Sequence, residues 1–136
     1  MKIKQETPIW EPKYANRHKV TFTSGLEINS YVINSTDRLI WENGEFKTVQ
    51  MNLYDPICPS SAQCVMQCIK LNEDKDAIPC SYKLEILDKI GEIVEVWEIA
   101  GEIKKIDFGK VSWDTESAKP INIKLFIKPI SAKLIY

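Results

Sequence analysis

The chain has 136 residues, of which 44% are hydrophobic and 27% charged, and its formal net charge is -1. This composition excludes a fully disordered protein, and the net charge excludes a global basic field that would recruit nucleic acid or an anionic membrane. Charges interrupt every apolar run well short of the ~20 residues that a membrane span needs. Residues 1–12 have no apolar signal-peptide core. We therefore expect one soluble, intracellular domain, 1–136, with no membrane partner.

Residues 1–13 have two prolines and little periodicity, which predicts an N-terminal arm that only contacts would order. Trp10 lies in this arm. A tryptophan in such a segment is typical of a contact anchor, either on its own subunit or on a neighbour. Residues 14–136 would then form the folded body.

The body begins with two alternating segments on either side of a Ser24-Gly25 turn signal. Their apolar positions are Val20, Phe22, Leu26 and Ile28. Alternation with period two is typical of a strand with one buried face. The pattern predicts a long hairpin whose second strand runs to Ile33.

Residues 45–54 alternate in the same way and predict another half-buried strand, which Pro56 and Pro59 end. Ser60 is a good N-cap for a helix over about residues 61–70. The apolar positions of this segment recur at helical spacing: Ala62, Val65, Met66 and Ile69. We expect this stripe to pack on the sheet rather than to bind a ligand.

Residues 82–136 show the clearest strand patterns. A strand from Tyr82, a turn over residues 88–91 and a second strand over residues 92–100 predict a hairpin. Gly101 would interrupt the chain before a short run to Phe108, and residues 121–128 alternate as a last strand. The fold class predicted is mainly β, an antiparallel β-sandwich or barrel with one flanking α-helix at about 60–70.

Four cysteines offer either a zinc site or reduced thiols: Cys58, Cys64, Cys68 and Cys80. They form no CxxC pair, and structural zinc usually takes its ligands from such tight knuckles. We therefore expect reduced thiols that act as small hydrophobic side chains, with a four-cysteine zinc site as the alternative.

Candidate catalytic residues are few. His18 has no serine, cysteine or carboxylate pattern around it that would define a nucleophile and base. Glu92 and Glu95 would point to opposite faces of a strand, as would Glu95 and Glu98, so neither pair shares a site. There is no glycine-rich phosphate loop. We expect no enzymatic activity and no cofactor.

Several segments follow one another along the chain in a characteristic order: Asn16-Arg17-His18-Lys19-Val20, Leu53-Tyr54-Asp55-Pro56-Ile57 before a helix, Leu84-Glu85-Ile86-Leu87-Asp88, Gly91-Glu92-Ile93-Val94-Glu95-Val96-Trp97, Gly101, Ile106-Asp107-Phe108-Gly109, Trp113-Asp114 and Ala132-Lys133-Leu134. This ordered set resembles the tail tube proteins of contractile-tailed bacteriophages, a superfamily that includes the type VI secretion tube.

This resemblance implies a subunit that forms six-membered rings, which stack into a tube for genome ejection. The implied partners are other copies of the chain, the tail sheath, the baseplate tube initiator and the tape-measure protein. DNA would pass through the lumen without sequence-specific binding. The protein would belong to the virion tail, after assembly in the host cytoplasm. It implies no catalytic residues.

The resemblance also implies that the arm, the predicted hairpin and the loop after residue 54 mediate ring stacking. The residues concerned are Trp10, Val20, Phe22, Ser24, Gly25, Leu26, Ile28, Asp55, Pro56 and Ile57. The same fold serves as baseplate tube initiators and tail terminators, and a virion decoration or adaptor protein remains an alternative. A monomeric or dimeric β-sandwich binding module is the alternative from another class, and it has no reason to form rings.

Overall fold

A computed structural model describes residues 9–113 and 119–136. Its elements are β1 His18–Ser24, a 3-10 turn Ser30–Val32, β2 Ile33–Thr36, β3 Trp41–Glu42, β4 Glu45–Phe46, β5 Val49–Tyr54, α1 Ser61–Leu71, β6 Ile78–Leu87, β7 Ile93–Asp107 and β8 Asn122–Leu134. The prediction of a mainly β fold with one flanking helix is confirmed. The first eight residues of the predicted arm, and Asp114 of the Trp113-Asp114 pair, lie outside the described residues.

Six strands form one antiparallel sheet in the order β1-β6-β7-β8-β5-β2, which curls into a half-barrel. Alternation explains why the sheet has one buried face: in β6, every second side chain from Ile78 to Ile86 is buried. The same period places Val49, Met51 and Leu53 of β5 in the core. The concave face is therefore apolar and the convex face is polar.

The helix α1 contributes Val65 and Cys68 to the same core. Ser60 caps α1 as predicted, because its hydroxyl accepts a hydrogen bond from the backbone N–H of Gln63. The predicted packing of the apolar stripe is also observed, although Met66 of that stripe is exposed. The helix therefore packs its buried side against the same core as the sheet.

The hairpin predicted around residues 88–91 is present, as β6 and β7. The expectation that Gly101 interrupts the second strand is wrong, because β7 continues through it to Asp107. Gly101 lies at a register shift between β7 and β8, and a Cβ there would overlap the carbonyl oxygen of Lys128. Glycine is needed here for a close approach of two strands inside the sheet rather than for a turn.

The hairpin predicted around Ser24-Gly25 is wrong in its pairing. β1 pairs with β6, whereas β2 begins only at Ile33 and pairs with β5. Residues 25–32 form a connection instead of a strand, because Leu26 packs into the core and Ile28 packs against it. β1 and β2 are the two edges of the sheet. We call the gap between them the seam.

A small hairpin of β3 and β4 follows β2 in the chain. Asn43-Gly44 forms its turn, with positive φ at both residues. The ring of Trp41 meets that of Phe46 edge-on, with centroids 5.0 Å apart. Lys128 of β8 donates a hydrogen bond to the carbonyl oxygen of Phe46. The strand predicted over residues 45–54 is thus divided between β4 and β5.

Candidate assembly surfaces and the Glu95 clasp

The residues predicted to mediate ring stacking do not form one surface. Trp10 lies in the arm and is 89% exposed. Val20 and Leu26 are buried in the core of their own subunit, while Phe22 and Ile28 are half-buried against that core. The side chains of Val20 and Leu26 are therefore not available to a neighbour. The interface role of the exposed members of the set stays a prediction.

The fold of the subunit itself explains why residue 25 is a glycine. Its φ is +89°, and a Cβ there would overlap the carbonyl oxygen of Pro79 and lie 2.7 Å from Cys80 Cα. Its carbonyl oxygen accepts a hydrogen bond from Cys68 Sγ at 2.8 Å. The glycine is thus the point where the connection after β1 contacts both β6 and α1 closely.

The cysteines are divided between core and surface. All four are free; Cys68 and Cys80 are buried, whereas Cys58 is exposed. Burial raises the pKa of the Cys68 thiol, and burial followed by the proximity of Cys68 raises that of Cys80 to about 12. Among residues 9–113 and 119–136, no group of three metal-binding side chains comes together. The two buried thiols act as small apolar side chains.

The loop after β5 has two parts with different roles. Asp55 Oδ1 accepts hydrogen bonds from the Ser60 hydroxyl and from the backbone N–H groups of Ser61 and Ala62. These are N–H groups of the first helical turn, which have no partner within the helix, so Asp55 stabilises the start of α1. Ile57, by contrast, is fully exposed. Among the predicted interface residues of this loop, Ile57 is therefore the one whose apolar side chain is exposed to solvent.

Ile57 belongs to a wider apolar surface at one end of the half-barrel. β5 ends, β7 ends and β8 begins at that end, as the pairing of Tyr54 with Asn122 shows. Ile121 connects the two loops there: its carbonyl oxygen accepts from the Asp55 N–H, and it lies beside Gly109. The exposed apolar side chains of this loop end are Ile57, Phe108, Val111, Trp113 and Ile121.

The opposite end also has exposed apolar side chains. There β1 begins, the β6–β7 turn lies, and β8 ends against Trp97. The arm contacts this end through an ion pair between Glu11 and Lys89. The exposed apolar side chains of this arm end are Ile9, Trp10, Ile90, Ile93, Val94, Leu134 and Tyr136. Exposed apolar clusters of this kind mark interaction surfaces more often than isolated residues do.

The long central strands leave edges that no described strand covers. β6 begins opposite Ile103, so residues 104–107 of β7 extend beyond it. β5 pairs with β8 only up to Ile127, so residues 128–134 extend beyond β5. Unpaired backbone groups on such edges are available for pairing with another chain.

Glu95 is the feature of the body that the sequence analysis missed. It is 4% exposed, and its carboxylate contacts three segments of the chain. Oε1 lies 2.5 Å from Lys13 Nζ in the arm, while Oε2 accepts from Arg38 Nη2 at 2.8 Å and from Trp97 Nε1 at 2.7 Å. A buried carboxylate is tolerated when its oxygens are paired in this way. We call this group of four side chains the Glu95 clasp.

The strand period contained part of this information. Glu95 has the parity of Trp97 and Ile99, so alternation alone places its carboxylate on the concave face. A charge on that face requires partners. The sequence gives no means of naming Lys13 and Arg38 as those partners, because both reach Glu95 only through the fold.

The clasp makes stability depend on pH. Burial by itself raises the pKa of Glu95, but the hydrogen bonds from Lys13 and Trp97 and the charge of Arg38 outweigh it and hold the pKa below its ordinary value of 4.5. The stabilisation is therefore complete above pH 4.5 and is lost as the pH falls through the lower pKa of the folded state. We expect Glu95→Gln to reduce the loss of stability between pH 7 and pH 3, measured by urea unfolding.

Glu98→Gln is the matched control for this prediction, because Glu98 lies on the same strand with an exposed side chain. Its pH profile should follow that of the wild type. An unchanged pH profile in Glu95→Gln would contradict the role of the clasp.

A pocket of about 350 Å³ lies in the seam, towards the arm end. It is lined by Lys13, Tyr14, Ala15, His18, Ser35, Thr36, Arg38, Leu84 and Ile86. His18 Nδ1 lies 3.2 Å from the carbonyl oxygen of Ala15, an arrangement of a surface histidine rather than of a catalytic pair.

No α-helix in the described part of the chain has the length and apolar character to cross a membrane.

Comparison with known proteins finds similarity in structure but not in sequence. No protein-family model and no curated protein matches the chain. A chain in the cryo-EM structure of the anti-feeding prophage (AFP) baseplate, six-fold symmetrised, matches with a TM-score of 0.59. The match covers 93% of this chain and 97% of that chain at 10% identity. The two chains share a fold.

Proposed function

We propose that this protein is a non-enzymatic structural subunit of a contractile tail or a related injection particle, and that it assembles into rings of identical copies. The observation that supports this most is the extent of the fold match, which includes nearly all of both chains. The matched chain comes from a baseplate structure that is six-fold symmetrised. The alternative, a monomeric or dimeric β-sandwich binding module, would have no reason to form rings.

The surfaces of the subunit support assembly in a repeating direction. The loop end and the arm end lie at opposite ends of the half-barrel, and both present exposed aromatic side chains, among them Trp113 and Trp10. Two different surfaces at opposite ends favour heterologous, head-to-tail contacts, which close into a ring when the rotation between copies closes and otherwise continue as a helical filament. We propose that the loop end of one copy packs on the arm end of the next.

Two positions along such a particle fit the proposal. As a tail tube subunit, the protein would form stacked hexameric rings around the path of genome ejection, with the tail sheath, the tube initiator and the tape-measure protein as partners. As a baseplate tube initiator, it would form the first ring of that path. The baseplate origin of the structural neighbour favours the second position, whereas the resemblance of the ordered sequence segments favours the first.

A surface substitution tests the proposed contact. Trp113 is 97% exposed at the loop end, so Trp113→Asp should leave the subunit folded while it places a charge where an apolar contact forms. We expect at least a tenfold weakening of self-association, since truncation at an interface hot spot costs about 2 kcal/mol or more. Sedimentation velocity over a concentration series measures it.

Ile130→Asp is the matched control, because Ile130 is 65% exposed in the middle of β8, between the residues that pair with Ala100 and Gly101 of β7, away from both ends. It should associate like the wild type. Equal association of Trp113→Asp and the wild type would remove the loop end from the proposed contact, and absence of any self-association in the wild type would contradict ring assembly.

A further inference from the structure

Residues 9–17, which are the described part of the arm and the segment that joins it to β1, form a stretch that contributes no side chain to the core. Every residue in it is exposed, and it contains neither helix nor strand. Its ion pairs to the body are Glu11 with Lys89, whose side chains are both well exposed, and Lys13 with Glu95. Exposed ion pairs contribute little to stability, so the ion pair with the buried Glu95 is the stronger of these two contacts.

The carboxylate of Glu95 divides its contacts between the arm and the body. Oε2 contacts Arg38 and Trp97, which both belong to the body, whereas Lys13 is the one described residue that reaches Oε1. Departure of Lys13 therefore leaves the carboxylate with one cation and one N–H donor. The arm can detach without leaving a bare buried charge, which is the costly outcome of breaking most buried pairs.

The arm lies over the seam. Lys13, Tyr14 and Ala15 form one wall of the pocket of about 350 Å³, and the buried side chains of Leu84 and Ile86 line it as well. β1 and β2 form the edges of the sheet and are not paired with each other. Beside this pocket the arm covers the seam, where β1 and β2 are not joined by strand pairing.

We propose that residues 9–15 form a detachable strap across the seam, fastened at Oε1 of Glu95. In the fastened state Lys13 holds the strap over the apolar side chains of Leu84 and Ile86. In the open state Arg38 and Trp97 keep the Glu95 carboxylate paired, the pocket is uncovered and the Trp10 segment is released. The strap is a property of the single subunit and does not depend on ring assembly.

Lys13→Met tests the strap, because it keeps the length of the side chain and removes its charge. Backbone ¹⁵N relaxation of the monomeric protein measures order residue by residue. We expect the order parameters of residues 10–16, apart from Pro12, which has no N–H, to fall below about 0.6, the range of a flexible chain, while those of β6 and β7 keep their wild-type values. Arg38→Met should leave the strap ordered, since Lys13 contacts the other oxygen of Glu95.

Lys83→Met is the control, since it removes an exposed lysine from β6 without touching the clasp. Unchanged order of residues 10–16 in Lys13→Met would overturn the proposal. Equal loss of order in β6 and β7 would also overturn it, because the arm would then be an integral part of the fold. A failed strap test together with normal rings leaves the proposed function in place.

Discussion

Val65→Asp is expected to remove a large part of the stability of the protein. Val65 is 1% exposed on the inner side of α1, and no cation of the described core lies there to pair with a carboxylate. An unpaired buried charge lowers the free energy of unfolding by about 3–5 kcal/mol, which is much of the 5–15 kcal/mol typical of a domain. Urea unfolding followed by circular dichroism measures the change.

Gln67→Asp is the matched control for the helix. It introduces the same side chain two residues away, on the exposed side of α1. We expect a change within about 0.5 kcal/mol, as for most surface substitutions. Similar stability of Val65→Asp and Gln67→Asp would mean that α1 does not pack on the core as described.

Gly25→Ala is expected to have the second largest effect. The substitution combines a φ of +89° with a Cβ that overlaps the carbonyl oxygen of Pro79 and crowds Cys80. Backbone strain in the left-handed region costs about 1–2 kcal/mol, and overpacking adds about 1–3 kcal/mol. We therefore expect a loss of about 2–5 kcal/mol in the free energy of unfolding, measured by urea titration.

Gly91→Ala separates the two contributions. Gly91 has nearly the same φ, +90°, but no atom of the described residues lies within 4 Å of its added Cβ. It should therefore show the backbone strain alone. The difference between the two variants measures how closely the connection after β1 approaches β6, and equal losses would contradict that close approach.

Local patterns were sufficient for much of the fold. The alternation of β6 and β8 and the helical spacing of α1 each report a property of a few adjacent residues, namely which side chains face the core. Strand partners are a different matter. Leu26 and Ile28 alternate as in a strand, yet both side chains reach the core from a connection that is not a strand. The partner of β1 is β6, which comes much later in the chain.

The candidate site was predicted less completely. Trp10 and Ile57 are exposed, as a contact role requires, whereas Val20 and Leu26 are core residues, because alternation cannot distinguish the inside of a subunit from an interface. The clasp depends on Lys13 and Arg38 reaching Glu95 from separate segments. The arm end and the loop end likewise result from strand order, which the sequence alone does not determine.

Electron microscopy of the purified protein in negative stain, with mass photometry of the same sample, tests the central claim most directly. Assembly of identical copies through the two ends predicts closed rings or hollow tubes, and six-fold end views if the assembly has the symmetry applied to the baseplate structure. A monodisperse monomer at every concentration up to the solubility limit, with no ring in any field, would contradict the proposal that the subunit assembles with itself.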